Sequence, residues 1–271
     1  MTPLAPFAPE AIERFVADGY LRLDEGFAAA DAAAAVALLR PELGSDPAPP
    51  ALWPRPHMRL GYYDQEPFRA TQSSPRLHAA LDQLAGAGRW RLPWHLGSFV
   101  ARFPSAVRDG SMDHWHADIS FPGPDSDSQR PNDYETWRAN WCSRGRMLTL
   151  LMLFTDVGEA DAPTLLRVGS HRVLARLLRP AGEAGLSTHA MNDVAADCPV
   201  VTATGPAGTV YLCHPFLIHA GQPHQGTRPR ILAQPMVLPR EPVTLERADG
   251  DYSPVERAIR LAHAEAAAPR R

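Results

Sequence analysis

Hydrophobic positions recur at helical spacing through the first ninety residues, then change to short runs separated by polar turns from Trp94 onward. Residues Pro9–Asp18 carry Ile12, Phe15 and Val16 on one face and stop at Gly19, which predicts a helix followed by a short strand at Tyr20–Leu23. An alanine-rich helix is expected over residues 28–40. Five prolines within residues 46–56 force an extended or looped stretch. A third helix has Ser74 as its cap, Pro75 at its first position and Leu77, Leu81 and Leu84 on one face, with Gly86 closing it.

The later runs read as strands at residues 96–103, 147–154, 164–168, 200–201, 209–213 and 230–238. The continuous apolar run at 147–154 predicts a strand buried on both faces. Ser170 is placed to cap a helix over residues 171–179 that Pro180 ends, and Ser253-Pro254-Val255-Glu256 opens a final helix. Helices first and then about eight short strands give a mainly β fold, a jelly roll braced by helices. A single domain is expected: a mostly helical support over 1–93, a jelly-roll core over 94–240 and a C-terminal helix within 241–271. The polar segment 121–146, rich in Pro, Asp and Ser and carrying Tyr134, Trp137 and Trp141, reads as a lid.

Composition narrows the chemistry by exclusion. The 271 residues contain no lysine, so lysine Schiff-base catalysis and a phosphate-binding P-loop are ruled out. Cys142, Cys198 and Cys213 are far apart and form neither a disulfide framework nor a structural zinc site. A net charge of −3 without a basic cluster argues against nucleic acid as a partner. No apolar run approaches the ~20 residues of a membrane span, and the N-terminus lacks a signal pattern, so a cytoplasmic enzyme is expected. The pattern sets no oligomeric state.

The chemistry concentrates in Asp113-His114-Trp115-His116-Ala117-Asp118. An imidazole and a carboxylate two residues apart on an extended strand point to the same side. With His219 they would form a facial triad suited to iron(II), leaving positions open for a co-substrate and O₂. His114 has the same parity as His116, but only His116 has a carboxylate two residues on; His114 reads as a neighbour of the ligands or as solvent-facing. His214 precedes a proline that disturbs a strand, whereas His219 precedes Ala220-Gly221, which leaves room for a co-substrate. His171 reads as a turn residue, and His95, His189 and His224 have no partners in sequence. Arg230 opens the apolar run 231–233, where a buried cation needs a counter-charge; a dicarboxylate would supply one. Arg228, in a polar loop, has no such demand.

With those residues in place, the chain resembles the phytanoyl-CoA dioxygenase-like family of iron(II)/2-oxoglutarate oxygenases over nearly its whole length. The resemblance is carried by Asp18-Gly19-Tyr20, Arg102-Phe103-Pro104, Trp115-His116-Ala117-Asp118, Ala162-Pro163-Thr164, Gly169-Ser170-His171-Arg172, and Gly208-Thr209-Val210 through His219-Ala220-Gly221 and Arg230. It implies a double-stranded β-helix core, iron(II) on His116, Asp118 and His219, and the distal carboxylate of 2-oxoglutarate on Arg230. It further implies that Arg102 assists co-substrate binding and that Thr149 and Leu151 line the same cavity. Halogenating relatives replace the aspartate with a small residue, so Asp118 favours hydroxylation of a small-molecule substrate, with O₂ and 2-oxoglutarate converted to CO₂ and succinate. Trp137, Arg138 and Trp141 in the lid are candidate substrate contacts. The chain departs from the family pattern at Pro223-His224, where an asparagine is frequent. Two rivals remain: a cupin-type metalloenzyme that does not use 2-oxoglutarate, and a non-catalytic ligand-binding relative.

Overall fold

The structure, a computed structural model, describes residues 5–44, 53–127, 129, 136–142, 145–191 and 193–267. Tyr134, residues 46–52 of the proline-rich stretch and the side chain of His189 lie outside the described residues. The helices are α1 (Pro9–Asp18), α2 (Ala29–Leu43), α3 (Glu66–Gln72), α4 (Pro75–Ala85), α5 (Ser170–Leu178) and α6 (Pro254–Ala267). The strands are β1 (Tyr20–Leu23), β2 (His57–Leu60), β3 (Trp90–Arg91), β4 (Phe99–Arg102), β5 (Phe121–Pro122), β6 (Trp137–Ala139) and β7 (Leu148–Leu153). They continue with β8 (Thr164–Arg167), β9 (Leu186–Ser187), β10 (Val200–Ala203), β11 (Val210–Cys213), β12 (His219–Ala220), β13 (Arg230–Ala233) and β14 (Met236–Pro239).

The antiparallel major sheet runs β1-β11-β7-β13-β4-β2, with β14 pairing both β7 and β3. A minor sheet runs β10-β8-β12, and β5-β6-β9 form a small third sheet. Alternation along the major-sheet strands explains their unbroken apolar runs. Leu148, Leu150 and Met152 of β7, with Val210 and Leu212 of β11, join one large core shared with the helices. Leu151, Leu153, Tyr211 and Leu232 point the other way and meet Leu166 and Ala203 of the minor sheet in a second cluster. Both faces of β7 are therefore dry, and each fully buried leucine contributes about 1.5–3 kcal/mol. The two sheets facing each other form a double-stranded β-helix, and α6, packed on α1, α4 and α5, closes the helical layer.

Local chemistry matches the expected boundaries at several points. Gly19 takes a left-handed conformation (φ 89°) and donates its N–H to Phe15 O, ending α1. Ser74 Oγ accepts from Leu77 N at the start of α4. At α6 the Ser253 and Glu256 side chains each accept from the other's backbone N–H, a reciprocal capping box. Elsewhere the structure differs. Helix α2 runs past Arg40 through Pro41 to Leu43, where Gly44 N donates to Arg40 O at its end. The expected strand at 230–238 breaks into β13 and β14 around Gln234-Pro235, where proline has no N–H for the ladder. Gly169, not Ser170, caps α5; the Ser170 hydroxyl instead accepts from Ile218 N at 2.9 Å. Residues 121–146 are not a plain loop, since their ends supply β5 and β6 to the third sheet. Helix α3 and strand β2 had no strong periodic signal.

Two buried histidines fasten the end of α1 to this frame. His171 Nε2 donates to Val16 O at 3.1 Å, satisfying a carbonyl of the last turn of α1. His214 N donates to Gly19 O at 2.7 Å, and its ring lies 4.9 Å from that of His171. A Cβ on Gly19 would stand 2.4 Å from His171 Nδ1, so no larger residue fits there. Burial pushes His171 down to about 4, and burial with His171 beside it pushes His214 well below the ordinary histidine value. Both rings are neutral when folded and protonate near pH 6.5 when unfolded, so stability is complete above that pH and is lost as pH falls toward 4. We expect thermal melts of the metal-free protein to lose about 3 kcal/mol for His171 alone across that window. A pH-independent melting temperature between 6.5 and 4.5 would contradict this.

Candidate functional site

His116 and His219 meet in an isolated antiparallel bridge, each backbone N–H donating to the other's carbonyl at 2.9 Å. The bridge joins the His116 segment to β12, which pairs with β8 through His219 and Leu166. Residues flanking His116 add no further ladder, so the expected strand is reduced to this single bridge. The alternation still holds. Ala117 and Ile119 enter the large core, while His116 and Asp118 turn together to the other side.

Ligand atoms of His116, Asp118 and His219 lie within 4.8 Å of one another. His116 Nε2 is 3.8 Å from Asp118 Oδ1, and His219 Nε2 is 3.5 Å from Asp118 Oδ2. Neighbouring donors about 2.1 Å from a common metal would stand roughly 3 Å apart, so a small contraction would close this triangle on an ion. Tautomers are set from behind. His116 Nδ1 donates to His114 O at 3.0 Å and His219 Nδ1 to Leu217 O at 3.1 Å. Both Nε2 lone pairs are thereby left facing the carboxylate. His219 Nε2 is buried without a hydrogen-bond partner. Two imidazole lone pairs and a carboxylate converging on one point make a set of acceptors, and a cation is what such a set fits.

The electrostatics agree. Burial alone would raise the Asp118 carboxyl, but Arg146 and the two histidines outweigh it and hold it well below the usual range. Burial, with His219 adjacent, pushes His116 down to about 4. At His219 burial is overcome by Asp118, which pulls the imidazole up. Arg146 Nη1 lies 3.1 Å from Asp118 Oδ2 and 3.4 Å from Thr149 Oγ1. Sequence reading missed this residue. Its signal was the one that singled out Arg230, an arginine placed just before an apolar strand.

Arg230 is 3% exposed and sits beside Arg102 across the β13–β4 pair. Among the described residues its only side-chain hydrogen bond is from Nη1 to Thr164 Oγ1 at 3.5 Å, and its Nε has no partner. Burial and the neighbouring Arg102 pull it down to about 9, so it still carries charge at neutral pH. Arg102 is equally buried but committed. Its Nη1 donates to Gln222 O at 2.8 Å, and its Nη2 meets Met112 O at 2.9 Å and Asp113 Oδ1 at 2.7 Å. The space left by Gly221 is filled by that guanidinium, since a Cβ there would stand 2.0 Å from Arg102 Nη2. Thr149 and Leu151 project from β7 into the space between the sheets, Thr149 toward Arg146 and Leu151 into the inner cluster.

The remaining sequence candidates divide. His114 is exposed and contributes its carbonyl to His116. His214 faces α6, with Nε2 donating to Val255 O, and is remote from the triad's chemistry. His224 secures its own turn, accepting from Gly226 N at 3.1 Å. Arg138 is tied to Ala184 O and Gly185 O at 2.7 and 2.6 Å. Trp141 packs on His263 of α6 and lines an open cleft of about 1200 Å³ between α6 and the chain after β14, which contains none of the triad. Trp137 lies in β6 on the third sheet. No described helix is long and apolar enough to cross a membrane.

These positions give a direct test of the triangle. We expect Asp118→Ala and His219→Ala each to weaken Co²⁺ binding at least about a hundredfold by calorimetry, the upper end for loss of support around a metal. His114→Ala should stay within about threefold, because its contribution comes from the backbone. Equal losses in all three would overturn the assignment of His116 over His114.

Ectoine dioxygenase of Stutzerimonas stutzeri (strain A1501) is 28% identical over 232 residues, spanning 76% of this chain and 68% of that protein. Among solved structures, HygX from Streptomyces hygroscopicus with nickel, 2-oxoglutarate and hygromycin B bound superposes with a TM-score of 0.55. It is 17% identical, over 86% of this chain and 88% of HygX. The epimerase SnoN in complex with Fe³⁺, alpha ketoglutarate and nogalamycin RO also gives 0.55, at 16% identity over 84% of this chain and 82% of SnoN. At such identities the two structures share the fold. Residues 55–232, which carry the triad and Arg230, match the family described as Phytanoyl-CoA dioxygenase (PhyH), and the chain belongs to that family.

Proposed function

We propose that the protein is an iron(II)- and 2-oxoglutarate-dependent dioxygenase that hydroxylates a small-molecule substrate. The observation that carries this reading is the pairing of an all-acceptor triad with a buried arginine that lacks a carboxylate partner. His116, Asp118 and His219 would hold iron(II), and Arg230 would take the remote carboxylate of 2-oxoglutarate as a two-pronged donor. Iron(II) with 2-oxoglutarate and O₂ supplies the oxidation when bound, yielding succinate and CO₂.

The chain's own contribution is orientation and exclusion of water. The hydrogen bonds from Nδ1 of His116 and His219 to backbone carbonyls keep both Nε2 atoms on the same side, toward Asp118. Leu151, Leu153 and Leu232 give the space between the sheets apolar walls, which strengthen a charge pair formed inside it. Arg102 holds the segments at Met112 and Gln222 together beside Arg230 and adds positive potential there; Thr149 and Leu151 are proposed as lining for the co-substrate. The His116 and Asp118 side chains are 34% and 26% exposed, against 4% for His219, so substrate would approach from the His116–Asp118 side. Segment 121–146 follows directly from that side and is proposed to contact substrate through Trp137. Arg138, held on the carbonyls of Ala184 and Gly185, and Trp141, in the cleft that contains none of the triad, are not placed for direct contact. Asp118 occupies the position that halogenating relatives leave small, which supports hydroxylation. Ectoine dioxygenase by its name, and HygX and SnoN by their bound molecules, support a small-molecule substrate.

A metalloenzyme indifferent to 2-oxoglutarate gives Arg230 nothing to bind, and a mere binding relative needs no converging triad. Succinate formed from 2-oxoglutarate under aerobic iron(II) separates the three. We expect Arg230→Ala to raise the 2-oxoglutarate dissociation constant about a hundredfold, the equivalent of one charge-assisted contact of about 2–3 kcal/mol. Co²⁺ affinity should stay within about threefold. Unchanged 2-oxoglutarate binding in a folded Arg230→Ala variant would remove the assignment.

A further inference from the structure

Resting on the metal reading of the triad, we propose that Arg146 is a positioning residue that restricts Asp118 to one metal-binding oxygen and so keeps a coordination position free for O₂. An octahedral ion has six positions. Two histidines and one carboxylate oxygen take three; 2-oxoglutarate chelating through two atoms leaves one. A carboxylate binding through both oxygens would fill that last position before O₂ arrives. Asp118 is placed to do so, because each of its oxygens faces a different histidine, Oδ1 toward His116 at 3.8 Å and Oδ2 toward His219 at 3.5 Å.

Arg146 lies against one of these two oxygens. Its Nη1 is 3.1 Å from Oδ2 and also reaches Thr149 Oγ1 at 3.4 Å. Thr149 is in turn fixed on β7 between Cys213 of β11 and Met236 of β14, so the guanidinium is braced by the most enclosed strand of the sheet. The Arg146 side chain is 15% exposed, and the shielding makes its hold on the carboxylate stronger than that of a surface pair. A charged donor on Oδ2 competes with the metal for that oxygen's lone pairs and leaves Oδ1 as the ligand. A ligating carboxylate is commonly oriented in this way by the donor on its second oxygen.

Nitric oxide, an O₂ surrogate that gives a high-spin electron paramagnetic resonance signal on iron(II), reads the open position without turnover. The experiment is anaerobic and uses the full chain loaded with iron(II) and 2-oxoglutarate, whose chelation is followed by visible absorption. Wild type and Arg146→Lys should show both the chelate band and the nitric oxide signal. Arg146→Met should keep the chelate band and lose the signal at least about fivefold, within the usual cost of losing a ligand's supporting contact. Co²⁺-loaded crystals of Arg146→Met should then show Asp118 bound through both oxygens. If Arg146→Met does not fold, Arg146→Ala makes the same comparison. A full nitric oxide signal in the folded variant, or two-oxygen binding in wild type, overturns the role of Arg146 alone. A wild type with neither band nor signal overturns the iron reading beneath it.

Discussion

The backbone N–H groups of His116 and His219 each donate to the other's carbonyl, and the rest of the site depends on this two-way exchange. The partners are about a hundred residues apart in sequence, so the contact closes a long loop and needs support from both sides. Support on the His219 side is dense. Arg167 N donates to Ile218 O, Ile218 N donates to Ser170 Oγ, and His219 itself pairs with Leu166. Gly169 N reaches Asp18 O at the end of α1. Hydrogen bonds thus lead from the end of α1 through Gly169 and Ser170 to the segment that carries His219. On the His116 side the support is a stacked pair, with the Arg167 guanidinium 4.0 Å from the ring of Trp115.

The two buried arginines of the inner space differ in what they are given to bind. Both Nη atoms of Arg102 are engaged, by two backbone carbonyls and Asp113, while Arg230 next to it has one long contact to a hydroxyl; the Nε of each is unpartnered. A buried guanidinium without a counter-ion is costly, and two adjacent ones more so. That cost is tolerated where a ligand supplies the missing charge. The contrast between neighbours on paired strands therefore supports the proposal that Arg230 takes the co-substrate carboxylate while Arg102 shapes the wall. Sequence reading reached Arg230 through the apolar run it opens and Arg102 only through the family resemblance; their different contacts come from tertiary structure.

What was legible in the sequence followed from periodicity and local chemistry. His116 and Asp118 share a side by strand parity, and Ser253 with Glu256 forms its capping box within four residues. Arg230 was legible because a cation opening an apolar run needs a partner. What was hidden depends on contacts between distant segments. Ser170 looks like a helix cap, yet a better-placed donor, Ile218 N, lies 48 residues away in sequence. Gly221 reads as room for a ligand, yet Arg102 fills that room. Arg146 has its acidic partner 28 residues upstream, and its only local sign was the apolar strand that follows.

The two halves of the site are built from different material, with a consequence for how the chemistry and the selectivity can change. Arg230 stands on a strand flanked by β4 and β7, buried on both faces, and His219 is paired to β8 of the minor sheet, so a displaced backbone there would cost buried leucines such as Leu166 and Leu232. The third sheet is instead held by short pairings and by Arg138 on the carbonyls of Ala184 and Gly185. Of its residues only Ala139 of β6 enters the large core, with Leu186 of β9 packed against it. Arg146 is the residue at which the halves meet, since it ends the segment 121–146 and touches both Asp118 and Thr149 of β7. Under the proposed function, the described residues of 121–142 bear on what is bound, whereas Arg146 bears on how Asp118 is held against β7.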